Sequence, residues 1–444
     1  MNSTLHRPIH SRVALALLLA AVLPSTWAAA ADPVQTPGGA LALSDCTRIA
    51  LARNPDLVGS AQEVVTAGAA LTGVRSGYSP QLAVDMREAV GNEGSTSAGA
   101  SGLQRTEQAS FALSQILWQS GFRQRVEESQ SRLSAAELGY SMAVQSLLEQ
   151  VASDYYGVLA ADRIVAVQEA AVDSAASHLQ QVQARIGAGV AAEVDVYTAQ
   201  DDSARAELAL VDARRDATLA RARLKTSMGV SATFPLTLGE PQPLSAAAVP
   251  SLEEAIATAE QTRPDVRRAS ILVEATRSSL DVAKIGRGPA TSVSATYDWG
   301  YINWESGQPS WQAGLVLSWP LFDGGAAEAD VVAARAALAA SQAQFQSVVN
   351  QAGFEVESAL AEVKRAQERV RTTATSVAAA DARLRAAEGK YQQGVGILLE
   401  VTDARAALTD ALAGQVQAEY DYRTSLVTLE RALGRLAPPP AATE

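Results

Sequence analysis

Between residues 121 and 186, and again between 326 and 391, apolar side chains recur every seventh residue and no proline interrupts them. Val151, Val158, Val165, Val172, Leu179 and Ile186 mark the first run; Val356, Val363, Val370, Val377, Leu384 and Tyr391 mark the second. Three residues behind the second-run knobs come Ala359, Ala366, Thr373, Ala380 and Ala387, so a branched side chain alternates with a small one along the seam. A heptad repeat held this long predicts coiled-coil packing, and at 1.5 Å per residue each helix reaches roughly 100 Å. That length exceeds an ordinary globular domain, although a soluble antiparallel bundle would share the pattern.

Ahead of each long helix the period changes to two. Val293, Ala295, Tyr297, Trp299 and Tyr301 alternate with Ser292, Ser294, Thr296, Asp298 and Gly300; Trp311, Ala313, Leu315, Leu317 and Trp319 alternate with Gln312, Gly314, Val316 and Ser318. Strands are therefore predicted at about 290–302 and 310–320, joined by a surface connection. Two more are predicted at about 81–92 and 104–117. There Leu82, Val84, Met86 and Val90 alternate less cleanly because Glu88 breaks the apolar face, and Phe111 and Leu113 close the second strand before Trp118. About ten residues suits a tilted membrane strand.

Apart from Trp27, every tryptophan lies in or beside these strands, and the long helices carry none. Trp and Tyr gather where a barrel wall meets lipid headgroups, which nominates Trp299, Tyr301, Trp311 and Trp319 as a barrel aromatic belt. A sheet packed on helices is the competing arrangement. Four strands are too few to close a membrane barrel, and an open edge in lipid leaves backbone groups unpaired, so a membrane wall requires several copies of the chain.

The elements occur twice, at a spacing of about 205 residues. Asn54-Pro55-Asp56 returns as Arg263-Pro264-Asp265, Trp118-Gln119-Ser120-Gly121 as Phe322-Asp323-Gly324-Gly325, and Gly189 and Gly229 as Gly394 and Gly434. Each copy reads as helix, two strands, long helix, further helix. The first spans 32–234 and the second 251–436, with a Pro-rich linker at 235–250 and a disordered tail at 437–444. Ser44 is the expected N-cap of the first opening helix, and Ser251 with Glu254 forms a capping-box pattern at the second.

Composition narrows the chemistry. Arg7 and Arg12 lead into an apolar run and then Ala28-Ala29-Ala30-Ala31, the pattern of a secretory signal peptide over 1–31. No later segment approaches the roughly twenty apolar residues of a membrane helix, so membrane residence means a β-barrel. After leader removal His178 is the one histidine and Cys46 the one cysteine. Zinc sites, Cys-His pairs and Ser-His-Asp triads need more of these residues; no enzyme, metal or cofactor is expected, and His178 reads as a solvated surface residue. Asp45 before Cys46 is a poor lipid-anchor context. A net charge of −12 disfavours nucleic acid, whose phosphates attract an excess of Lys and Arg. Gly187-Ala188-Gly189 and Gly394-Val395-Gly396 lack the context of a nucleotide loop and read as helix ends.

The duplicated plan, the two Pro-Asp motifs, Trp319-Pro320-Leu321-Phe322-Asp323-Gly324-Gly325, and the segment from Tyr391 through Gly394, Leu398, Glu400 and Asp403 to Ala404 together resemble the TolC family of outer-membrane factors over almost the whole mature chain. The resemblance implies a mainly α protein with a membrane β-barrel: a homotrimer sharing twelve strands on a long helical coiled-coil barrel in the periplasm. It implies an export duct in outer-membrane lipid, opened when a periplasmic adaptor and an inner-membrane ABC or proton-driven transporter dock. Type I protein secretion is favoured over drug or small-molecule efflux, because many pump-dedicated relatives carry a lipidated N-terminal cysteine. A soluble periplasmic coiled-coil scaffold is the alternative of another class. Pro80 and Pro289 would mark where the helices pass into the barrel. Glu400 and Asp403, one turn apart, match an acidic constriction ring, or else solvate a helix start. Tyr391 and Asp195 match two members of a hydrogen-bonded periplasmic latch. The latch's basic position falls on Gly396, which predicts a gate held more weakly or differently.

Overall fold

A computed structural model describes residues 39–91, 104–189, 192–240, 249–302, 305–306 and 309–438. The leader expected over 1–31, most of the linker at 241–248 and the tail from 439 lie outside the described residues. The first copy runs α1 (Leu43–Arg53), α2 (Pro55–Ser76), β1 (Gln81–Gly91), β2 (Gln104–Gln119), α3 (Phe122–Gly187) and α4 (Val194–Ser227). The second runs α5 (Leu252–Thr262), α6 (Pro264–Ile285), β3 (Ala290–Ile302), a two-residue β4 (Glu305–Ser306), β5 (Ser310–Ser318), α7 (Ala326–Gln392) and α8 (Leu398–Ala432).

Each opening helix is in fact two. Pro55 and Pro264 stand at the first helical position, where no N–H is needed. Each forces its predecessor into extended backbone: Asn54 has φ −67° and ψ 123°, Arg263 φ −66° and ψ 126°. Ser251 caps α5 as expected, its hydroxyl accepting from Glu254 N while Glu254 returns to Ser251 N. Ser44 does not cap α1. That helix starts at Leu43, and Asp45 reaches back to accept from Ala42 N at 3.1 Å, so the carboxylate rather than the serine satisfies the orphan donor.

The two long helices are continuous, and their neighbours are broken columns. Asn54 Nδ2 at the start of α2 donates to Ser227 O at the end of α4, and Arg263 Nη1 at the start of α6 donates to Ala432 O at the end of α8. α2 and α4 flank α3 in turn, and α6 and α8 both pack between α3 and α7. The heptad knobs are fully buried at mid-length, where α1 and α5 add a further layer. Val151 and Val158 join Cys46, Ile49, Leu224 and Met228 in one core, and Val356 and Val363 join Ala259, Leu429 and Leu433 in another. Farther along, Val165, Val172, Val370 and Val377 are half-buried.

The strands form one antiparallel sheet in the order β1-β2-β3-β5, with β4 extending the β3 pairing. Pro80 and Pro289 immediately precede β1 and β3, and Pro320, which lacks the N–H a ladder needs, follows the end of β5. Residues directly opposite share a face. Val84, Phe111, Tyr297 and Trp311 form one row; Leu82, Leu113, Ala295 and Ala313 the next; Met86, Ala109 and Trp299 another. The reverse face carries Asp85, Ser110, Asp298 and Ser310. Glu88, the break in the sequence pattern, lies opposite Glu107 in the row of Tyr301, at the rim of the apolar band.

At the other rim a β-bulge adds one residue to β2. Ile116 faces Ser292 but Trp118, not Leu117, faces Thr291. The extra residue reverses the parity and brings Trp118 onto the apolar face. From Thr291 to Tyr301 the strand rises roughly 33 Å, or about 25 Å at a barrel's tilt, the height of an outer-membrane apolar band.

Candidate functional site

The residues matched to a gate lie where α3 turns into α4 and α7 into α8. Both long helices end on backbone bonds that fold the chain back: Gly189 N donates to Ile186 O and Gly394 N to Tyr391 O. Glu400, in the first turn of α8, and Asp403, one turn on, are both exposed on that helix. Asp403 also lines a groove of about 330 Å³ between α4 and α8, together with Asp201, Asp202, Arg205, Arg405 and Asp410.

Tyr391 packs with Val182, Ala199 and Leu398 in a small apolar cluster joining both hairpins. Its hydroxyl is buried without a protein hydrogen-bond partner, so it does not bond Asp195. Burial, with Asp195 adding to it, holds the phenol above its ordinary range. The basic group on Tyr391 comes from the first copy. Arg185 of α3 donates through Nη1 to Tyr391 O at 3.2 Å, and its guanidinium lies 4.6 Å from the ring centroid, a cation–π geometry. At Gly396 an added Cβ would come 2.9 Å from Lys390 Cβ and 3.1 Å from Tyr391 N. A longer side chain does not fit this turn.

One layer deeper lies a polar group that the sequence pattern does not bring together. His178 is only 4% exposed, which corrects its expected place on the solvated surface. Its ring centroid is 6.1 Å from that of Tyr391. Arg405 of α8, its side chain 11% exposed, donates through Nη2 to Glu388 of α7 at 2.9 Å. Burial and the positive charge of Arg405 push the His178 imidazole down to about 4, against a smaller opposing pull from Glu388. Burial pushes the Asp202 carboxyl on α4 upward, with Arg405 opposing. A single histidine in the mature chain points away from such a layer; its legible signal is that His178 and Glu388 lie within the heptad runs.

Among the described residues no His/Cys/Asp/Glu group is placed to hold a metal ion, and no helix is long and apolar enough to cross a membrane. A two-faced sheet with aromatic rims, set on long hairpins whose tips carry exposed carboxylates and a charged groove, defines an outer-membrane channel subunit. The sequence matches the outer membrane efflux protein family over residues 47–230 and 255–435, and the chain belongs to that family. Its family and structural neighbours are channels, not enzymes, and they reside in the outer membrane with a large periplasmic helical part.

Protein CyaE of Bordetella pertussis is 27% identical over 408 residues, covering 89% of this chain and 84% of that one. Nodulation protein T of Rhizobium leguminosarum bv. trifolii is 24% identical over 418 residues, covering 92% and 87%. Among solved structures, the Campylobacter jejuni CmeC outer membrane channel superposes with a TM-score of 0.77 at 19% identity, over 88% of this chain and 85% of that chain.

Proposed function

We propose that the chain is one subunit of a homotrimeric export duct. It would conduct substrate from an inner-membrane transporter and its periplasmic adaptor across the periplasm and the outer membrane. The observation that carries this reading is the four-stranded sheet with an apolar, aromatic-rimmed face and two open edges, β1 and β5. Backbone groups on those edges need partners in lipid, and three copies joined edge to edge give twelve strands. The polar face with Asp85 and Asp298 then lines the lumen, and Trp299, Tyr301, Trp311 and Trp319 sit at the headgroups.

At the tip, threefold symmetry gathers Glu400 and Asp403 from three copies into six carboxylates at one constriction, which favours cations and repels anions. Tyr391, with Arg185 beneath it and Asp195 nearby, holds the two hairpins of each copy together. Cargo of the type I secretion kind is favoured over small molecules, because Cys46 is fully buried in the α1 core, a poor position for the lipid anchor of many pump-dedicated relatives. The family description supports the second reading, a drug or small-molecule efflux pump.

The test is single-channel conductance of the detergent-purified mature protein in planar bilayers. Wild type is expected to give a small, cation-preferring conductance. Glu400→Ala/Asp403→Ala is expected to raise it severalfold and to lose most of the preference. A purified trimer without conductance overturns the duct; an unchanged double mutant removes the acidic ring and leaves the duct.

A further inference from the structure

Among the described residues, five buried side-chain polar atoms have no protein hydrogen-bond partner: His178 Nε2, Asp202 Oδ2, Tyr391 Oη, and Nε and Nη1 of Arg405. They belong to four side chains, one each from α3, α4, α7 and α8, all in the layer behind the tip. Folded proteins leave few such atoms, and here they are gathered rather than scattered. The layer holds donors and acceptors that could satisfy one another but do not in this packing. Arg405 keeps idle N–H groups while bonded to Glu388 within the second hairpin, and Asp202 of the first hairpin keeps an idle oxygen. Asp202 and Arg405 line the same groove between α4 and α8, so a shift of α8 against α4 would exchange Glu388 for Asp202 as the partner of Arg405.

We propose that His178, Asp202, Glu388 and Arg405 form a proton-operated latch at the contact of the two hairpins: with His178 neutral the layer stays packed and Glu388 holds Arg405, and protonation of His178 beside Arg405 releases that packing and passes Arg405 to Asp202. The proposal rests on the duct reading for its effect on conduction. The groups around His178 fix the sign. α8 presents Arg405, a permanent cation; α7 presents Glu388, already engaged by Arg405, and the Tyr391 ring; α4 contributes Asp202 next to Arg405 and Asp195 next to Tyr391; α3 itself carries Arg185 against Tyr391. A second cation in this layer faces Arg405, and the one carboxylate that acts on the imidazole, Glu388, is already engaged by Arg405.

In the packed layer the imidazole titrates at about 4, against an ordinary 6.5 in a released, solvated state. The packed state is therefore at full strength above 6.5. It loses ground to the released state by roughly tenfold per pH unit as pH falls from there toward 4.

Two readouts test this on the full mature trimer, for wild type, His178→Gln and Asp202→Asn. One is bilayer conductance from pH 7.5 to 4.5. The other is the distance between spin labels on Gln181→Cys in α3 and Ala406→Cys in α8. In wild type, conductance should rise at least threefold and the label distance lengthen with a midpoint between 4 and 6.5. His178→Gln should abolish both steps, and Asp202→Asn, which keeps the histidine but weakens the released pairing, should move them to lower pH. A wild type without either step, or a His178→Gln protein with the wild-type profile, overturns the latch. If the trimer conducts at no pH, the duct reading fails and the label distance alone decides: lengthening supports the latch and constancy overturns it.

Discussion

The two copies solve the same junction with different chemistry. In the first, Asn54 is a neutral joint: its Oδ1 accepts from Asp56 N and Leu57 N, and its Nδ2 reaches Ser227 O. In the second, Arg263, its side chain 7% exposed, is ion-paired to Asp265 at 2.6 Å and Glu355 at 2.7 Å while its Nη1 reaches Ala432 O. What they share is the surface beneath. Gly229 and Gly434 end the α4 and α8 columns at φ 67° and 69°. An added Cβ would come 2.6 Å from Arg53 O in the first copy and 2.8 Å from Arg263 Cα in the second. Close backbone approach is common to both copies, and the polar clasp over it is interchangeable.

The largest expected effect tests the shared part. Gly229→Ala and Gly434→Ala each combine left-handed strain with a backbone clash, and each is expected to destabilise by about 3 kcal/mol, read as a fall in the melting temperature of the detergent-purified protein. Unequal losses would show that one junction yields and that the copies are not mechanically equivalent.

The next effect separates the clasps. Arg263→Ala strands two partly buried carboxylates and should cost about 3 kcal/mol, whereas Asn54→Ala loses a cap worth about 1 kcal/mol. Burial pushes the Asp265 and Glu355 carboxyls up, but bonds and charge from Arg263 outweigh it and hold both below their ordinary range. Their contribution is complete above the ordinary carboxylate values and is lost as pH falls through the depressed ones. Acid should therefore speed amide exchange at the α5–α6 joint before the α1–α2 joint, and Arg263→Ala should erase the difference. The smallest effect lies at the opening helices. Ser251→Ala should cost about 1 kcal/mol, and Ser44→Ala close to nothing, since Asp45 closes α1 instead; equal losses would return the cap to Ser44.

Much of this fold is legible in the sequence because two signals are strictly periodic. The heptads locate α3 and α7, and the alternation locates β3 and β5. The breaks at Pro55 and Pro264 are visible in the sequence as repeat markers, but their meaning depends on an extended residue before proline packing against a helix end 173 positions away in the first copy and 169 in the second. The bulge at Leu117 has no signature in alternation alone, since one inserted residue is visible only through the partner strand. The site was less legible. Glu400, Asp403, Tyr391 and Asp195 come from a motif match, whereas His178, Arg185, Asp202, Glu388 and Arg405 come together only through the packing of four helices. A histidine on a helix with charged neighbours looks solvated until the facing helix is known.

The unbroken run of α3 and α7 beside the jointed columns α2/α4 and α6/α8 has a mechanical consequence. A rod without joints carries torque from one end to the other, while two rods butted end to end can slip in phase at the joint. A twist applied at the periplasmic tip would therefore travel along α3 and α7 to the base of the sheet, and the Asn54 and Arg263 joints would act as clutches that let the companion helices lag behind.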